Sequence, residues 1–148
     1  MLNQVNAPVQ QAAKKQPRAG DFFHRLADNT RLVFRGRAGL EAEAGTRVID
    51  ANSLIGKSDD YETGRKLYSR AIKLLNMAKL KSANPSGVTL GLLAEAYLGL
   101  AICKWVDGEN DVPELKKAIE HANAALEIDG LDKNAESTLK HAARRLKG

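Results

Sequence analysis

Residues 88–106 read VTLGLLAEAYLGLAICKWV, and only Glu95 and Lys104 in that run carry charge. A helix formed here has apolar side chains nearly all round its axis, so no single face can be left to water. Such a helix is covered on several sides by others. The run therefore predicts a central helix over about Val88 to Val106, and it sets the task of finding the helices that enclose it.

They lie on both sides. Upstream, Lys81-Ser82-Ala83-Asn84-Pro85-Ser86-Gly87 is a breaker. Before it, Leu67, Ala71, Leu74 and Leu75 share one helical face, with Tyr61, Gly64 and Tyr68 beside them, which predicts a helix from Tyr61 to about Leu80. Gly56-Lys57-Ser58-Asp59-Asp60 reads as a turn followed by a capped start. A further helix is expected from about Leu40 to Ile55, where Val48, Ala51 and Ile55 recur at three and four. Downstream, Asp107-Gly108-Glu109-Asn110-Asp111 closes the central helix. Pro113 suits the first turn of a helix running to Ile128, with Leu115, Ile119, Ala122 and Leu126 on its face. Asp129-Gly130 breaks the chain again. A last amphipathic helix, about Asn134 to Leu146, ends in Arg144, Arg145 and Lys147, where cations suit a helix C-terminus.

Residues 1–20 show no sustained periodicity and are expected to form a flexible basic arm, since they offer little apolar surface against the entropy of ordering. Asp21 can cap a short helix carrying Phe22, Phe23, Leu26, Val33 and Phe34 among arginines, ending near Gly36. Residues 21–148 are then one helical domain of five to six helices. The fold class is all-α, with helical hairpins over about 40–80 and 88–130 and a capping helix over 134–147. No strand candidate appears.

Composition agrees. Of 148 residues, 43% are hydrophobic and only 5% aromatic, so the core must come from Ala, Leu, Ile and Val, a mixture that favours helix. The net charge of +5 is unevenly placed: up to Arg37 there are seven basic residues against two acidic, and the rest is neutral. That asymmetry points to an acidic partner. Cys103 is the only cysteine, which excludes an internal disulfide and fits a reducing compartment. With no apolar stretch of a secretory signal and no apolar run read as reaching the roughly 18 residues of a membrane span, the expected location is cytoplasmic.

Residue identities add a resemblance. Ala94-Glu95-Ala96-Tyr97-Leu98-Gly99-Leu100-Ala101, followed by Lys117-Ala118-Ile119-Glu120-His121-Ala122-Asn123-Ala124-Ala125-Leu126-Glu127-Ile128-Asp129, resembles a tetratricopeptide repeat. Tyr97 stands at the family's first-helix aromatic, Leu100 and Ala101 at its Leu-Gly pair, and Ala118 and Ala125 at the small residues of its second helix. Lys104 and Ala122 depart from it, standing where the family carries Tyr and an aromatic, and the loop between the two helices is about five residues longer than the motif allows. An earlier, more degenerate copy places Gly64, Tyr68 and Ala71 at the small, aromatic and small positions. The resemblance covers roughly residues 45–135 and implies a tetratricopeptide-like superhelical array that binds peptides or proteins and performs no chemistry. The flanking helices would then serve as caps. A generic four- or five-helix bundle is the alternative.

In that geometry the first helix of each pair lines the groove, which puts Ile49, Ser53, Leu98, Ile102 and Trp105 there as candidate partner-binding residues. Trp105 reads first as a core or hairpin-closing residue, and in the functional reading as an anchor at the groove edge. The lysine and asparagine set by which some relatives clamp a terminal carboxylate is absent from those places. The resulting expectation is a non-catalytic adaptor binding an apolar peptide or helix of another protein. One alternative puts function in the basic Phe-containing region, with Arg25, Arg31, Arg35 and Arg37 contacting nucleic acid or an anionic membrane. Another is a self-associating assembly component, a homo-oligomer.

Catalytic groupings are sparse. Ala51-Asn52-Ser53-Leu54-Ile55-Gly56-Lys57-Ser58 satisfies the loose form of a phosphate-binding loop, but helix precedes it and no glycine lies among the four intervening residues. His24, His121 and His141 have no ligand spacing with one another or with Cys103, so neither metal nor cofactor is expected. Cys103 lies within the most apolar helix and reads as an inert core thiol. Asp107, Glu109 and Asp111 lack the register of a calcium loop and are expected to cap and to be solvated.

Overall fold

A computed structural model describes residues 36–148. Within them lie five helices and no strand: α1 (Arg37–Lys57), α2 (Tyr61–Lys79), α3 (Gly87–Val106), α4 (Val112–Ile128) and α5 (Lys133–Lys147). The expected arm over 1–20 and the Phe-containing helix lie outside the described residues, as do Arg25, Arg31 and Arg35.

Local chemistry sets most of the boundaries. Asp60 accepts the Thr63 amide at 3.1 Å, Ser86 the Thr89 amide at 3.0 Å and Asp132 the Ala135 amide at 3.0 Å, each satisfying a donor that has no partner within its helix. The Thr63 N–H is also the main reason the Asp60 carboxyl titrates below its ordinary range. Pro113 occupies the first turn of α4. α1 runs on past the expected end at Ile55 to Lys57, so the sequence resembling a phosphate loop is helix.

Each helix packs against the next, and in addition α1 touches α3 and α3 touches α5. The odd-numbered helices thus form one layer, with α2 and α4 behind them. α3 contacts all four of the others, as its all-round apolar surface requires. By length and composition alone α3 is also apolar enough to cross a membrane, contrary to the expectation from its sequence. Here more than half of its apolar stretch is buried against the other helices, which gives that surface another role. Burying a leucine such as Leu93 stabilises by about 1.5–3 kcal/mol.

Small residues allow the helices to come close. Ala44, Ala51, Ala71, Ala78, Ala94, Ala101, Ala118 and Ala122 are all fully buried. Leu90 of α3, Ala125 of α4 and Ala135 of α5 form one cluster that holds the last three helices together. Among described residues Tyr68 is the largest that is fully buried, and it fits because Gly99 lies opposite it. A polar knot ties the first helix to the third: the buried Glu41 carboxylate accepts from the Ser86 hydroxyl at 2.6 Å and the Thr89 hydroxyl at 2.9 Å. Arg37, the one candidate contact of the basic arm among the described residues, stands with its Nε 3.3 Å from the same carboxylate and remains partly exposed.

Candidate functional site

Between α1, α3 and α5 lies a half-open cavity of about 210 Å³. Asn52 and Ile55 of α1, Leu98 and Ile102 of α3, and Thr138 and His141 of α5 wall it, with Tyr68 of α2 reaching its floor. α3 supplies residues at four-residue spacing, Leu98 and Ile102, which stack on one face of a helix. α5 supplies Ser137, Thr138 and His141 in the same way.

A chain of hydrogen bonds orders the polar part of this wall. The Tyr68 hydroxyl donates to Asn52 Oδ1, and Asn52 Nδ2 donates to Glu95 Oε1 at 2.9 Å. Both donors are therefore directed, and Asn52 is held in one amide orientation. Burial, with the nearby Cys103 and Glu95, raises the Tyr68 phenol far above its ordinary value, so the hydroxyl stays a donor throughout the useful pH range. The His141 imidazole is pushed down, first by burial and then by Arg145 and Arg144, which favours its neutral form. The second carboxylate oxygen of Glu95 carries no hydrogen bond in this chain of contacts.

Of the five residues expected at the groove, Leu98 and Ile102 line the cavity. Ile49 and Ser53 lie one helical turn from Asn52 or beside it, on the exposed surface of α1, and Ile49 is 68% exposed. Trp105 is not a core residue: it is 61% exposed at the end of α3, with the Arg145 guanidinium 5.1 Å from its ring centre. It borders a separate depression with Val112 and Leu146. The end of α3 and the two helix termini beside it leave too little apolar surface to cover an indole. Asn52, Glu95 and His141 were not anticipated. They are polar or titratable residues on mainly apolar or charged helices, and no local pattern marks them as neighbours.

One turn before Tyr68 on α2, Arg65 donates to Asp107 at 2.9 Å and to Glu109. These carboxylates were expected to cap and to be solvated, and both are about half exposed. They also join the α3–α4 turn to α2, and Arg65 is the chief cause of the lowered Glu109 titration. Lys104, standing where the resemblance expects Tyr, makes an ion pair with Glu114 across the same turn. Tyr97 stacks on His121 of α4 with ring centres 5.4 Å apart.

Cys103 is fully buried, and burial raises its thiol to about 11, so at neutral pH it is protonated and a poor nucleophile. Among the described residues no group of three His, Cys, Asp or Glu converges to hold a metal ion. No family model matches the chain, and neither a curated protein nor a solved structure does so.

Proposed function

We propose that the helices over 37–147 form a tetratricopeptide-like binding module, a non-catalytic adaptor that receives an apolar side chain of another protein between α1, α3 and α5. The observation that carries this reading is the cavity walled by Leu98 and Ile102 above the Tyr68–Asn52–Glu95 chain. Ligand sites combine such an apolar wall with a few fixed polar groups. The aliphatic wall gives affinity for a Leu-sized group. Glu95, held on one oxygen by Asn52, offers the other to a backbone or side-chain donor of the bound segment. The buried thiol, the ion-paired carboxylates and the lack of a nucleophile–base pair among the described side chains argue for binding over chemistry.

The test is selection of a displayed random-peptide library on the full-length chain, followed by amide chemical-shift mapping with an enriched peptide. The expected result is that shifts concentrate on Asn52, Leu98, Ile102 and Thr138, and that the Ile102→Arg variant, folded by circular dichroism, loses at least about tenfold in affinity, or 1.4 kcal/mol. Shifts confined to other surfaces, or affinity unchanged by Ile102→Arg, would overturn the reading.

A further inference from the structure

The cavity does not end at α5. Ser137 and His141 line it, and the same two side chains also line an open depression of about 500 Å³ along α5, together with Lys133, Glu136, Lys140 and Arg144. An apolar pocket and a basic helix face are therefore one continuous surface. Lys133, Lys140 and Arg144 follow one another at seven and four residues, which keeps them on one side of the helix over about 16 Å. α5 as a whole carries five cations against a single acid, Glu136. That acid stands 2.9 Å from Lys140. Among the described residues neither Lys133 nor Arg144 stands within ion-pair distance of a carboxylate.

We propose that the segment bound at this site is an acidic amphipathic helix of a partner protein. It would place an aliphatic side chain beside Leu98 and Ile102 and its carboxylates along Lys133, Lys140 and Arg144. This rests on the cavity being the binding site, and it adds the charge of the ligand.

Two alternatives fit the surface less well. The chain's own first 37 residues carry seven basic and two acidic groups, so they have the same sign as α5 and are repelled by it. A nucleic acid needs a stacking platform beside its phosphate contacts. The one accessible ring here is the His141 imidazole, too little to stack successive bases; the rest of the cavity presents aliphatic walls, small polar side chains and the Glu95 carboxylate, while the Tyr68 ring is buried.

The test uses full-length protein and three synthetic helical peptides that share one Leu stripe and differ only in flanking Glu, Gln or Lys. Affinities are read by fluorescence anisotropy and contacts by amide shifts. The Glu peptide is expected to bind about tenfold tighter than the Gln peptide and the Lys peptide weakest, with the preference shrinking as salt rises. Lys140→Glu with Arg144→Glu should erase the preference while sparing the Gln peptide. Lys133→Gln with Arg144→Gln should weaken it without reversing charge, which guards against a folding defect in the first pair. Equal binding of Glu and Gln peptides, both shifting Leu98 and Ile102, would sink the acidic partner and leave the groove standing. If none of the three peptides shifts those residues, both readings fall. A single-stranded oligonucleotide that displaces the Glu peptide and binds more tightly would make α5 a phosphate-binding face and overturn the proposal.

Discussion

Gly99 of α3 lies directly against the Tyr68 ring of α2, so closely that a methyl group at Gly99 would overlap its Cζ and Cε carbons. The contact explains how a fully buried tyrosine fits between two helices that are otherwise joined by alanine and leucine. It also fixes where the Tyr68 hydroxyl emerges, at Asn52 on the cavity wall.

The first prediction follows from that contact. Gly99→Ala should destabilise the fold by about 1–3 kcal/mol, since the ring is rigid and cannot yield as a flexible chain end would. Urea unfolding should show a lower midpoint at unchanged slope. In a Tyr68→Leu background the same substitution should cost much less, because the two residues share one space. Equal costs in both backgrounds would mean the two helices separate freely here.

Cys103 yields a second. A thiol raised to about 11 and fully buried should react with a disulfide reagent only when the fold opens. Labelling at neutral pH is expected to be slow in buffer and fast in denaturant, with Gly99→Ala accelerating it. Rapid stoichiometric labelling of the native chain would show that α3 is less enclosed than its neighbours imply.

The Arg65 cluster should be visible in the pH dependence of stability. Glu109 titrates below its ordinary range in the fold, so its contribution is complete above that range and is lost as pH falls through the lowered value. The loss should disappear in Arg65→Gln and shrink in high salt, because both partners are largely solvated. Midpoints measured between neutral pH and about pH 3 would check it. An acid-side slope identical in Arg65→Gln would assign the effect to other carboxylates.

Trp105 supplies a spectroscopic test. At 61% exposure its emission should be long-wavelength and readily quenched by a neutral quencher in the native state. Arg145→Ala should remove the guanidinium over the ring and cost no more than about 0.5–1 kcal/mol. A blue-shifted, protected indole would place Trp105 in contacts that the helices over 37–147 do not provide.

Most of the helix boundaries are legible in the sequence, for a local reason. Asp60, Ser86, Asp132 and Pro113 act within three or four residues of where they stand, so caps and first turns can be read from neighbours along the chain. The central position of α3 is legible too, because an all-round apolar helix flanked by four amphipathic ones can leave water among them. The cavity is half legible: Leu98 and Ile102 sit on its wall, whereas Trp105 and Ile49 are on open surface.

The rest belongs to contacts between helices distant in the chain. Tyr68 meets Asn52 and Gly99, Asn52 meets Glu95, Glu41 meets Ser86 and Thr89, and Arg65 meets Asp107. Each partner looks like an ordinary exposed or helix-interior residue within its own segment. The sequence by itself determined the five described helices, their ends to within about three residues and which of them is enclosed, since periodicity and capping act over a few residues. Only the tertiary structure decided which polar groups meet and that the basic face of α5 borders the apolar cavity, because both depend on how helices rotate and slide as they pack.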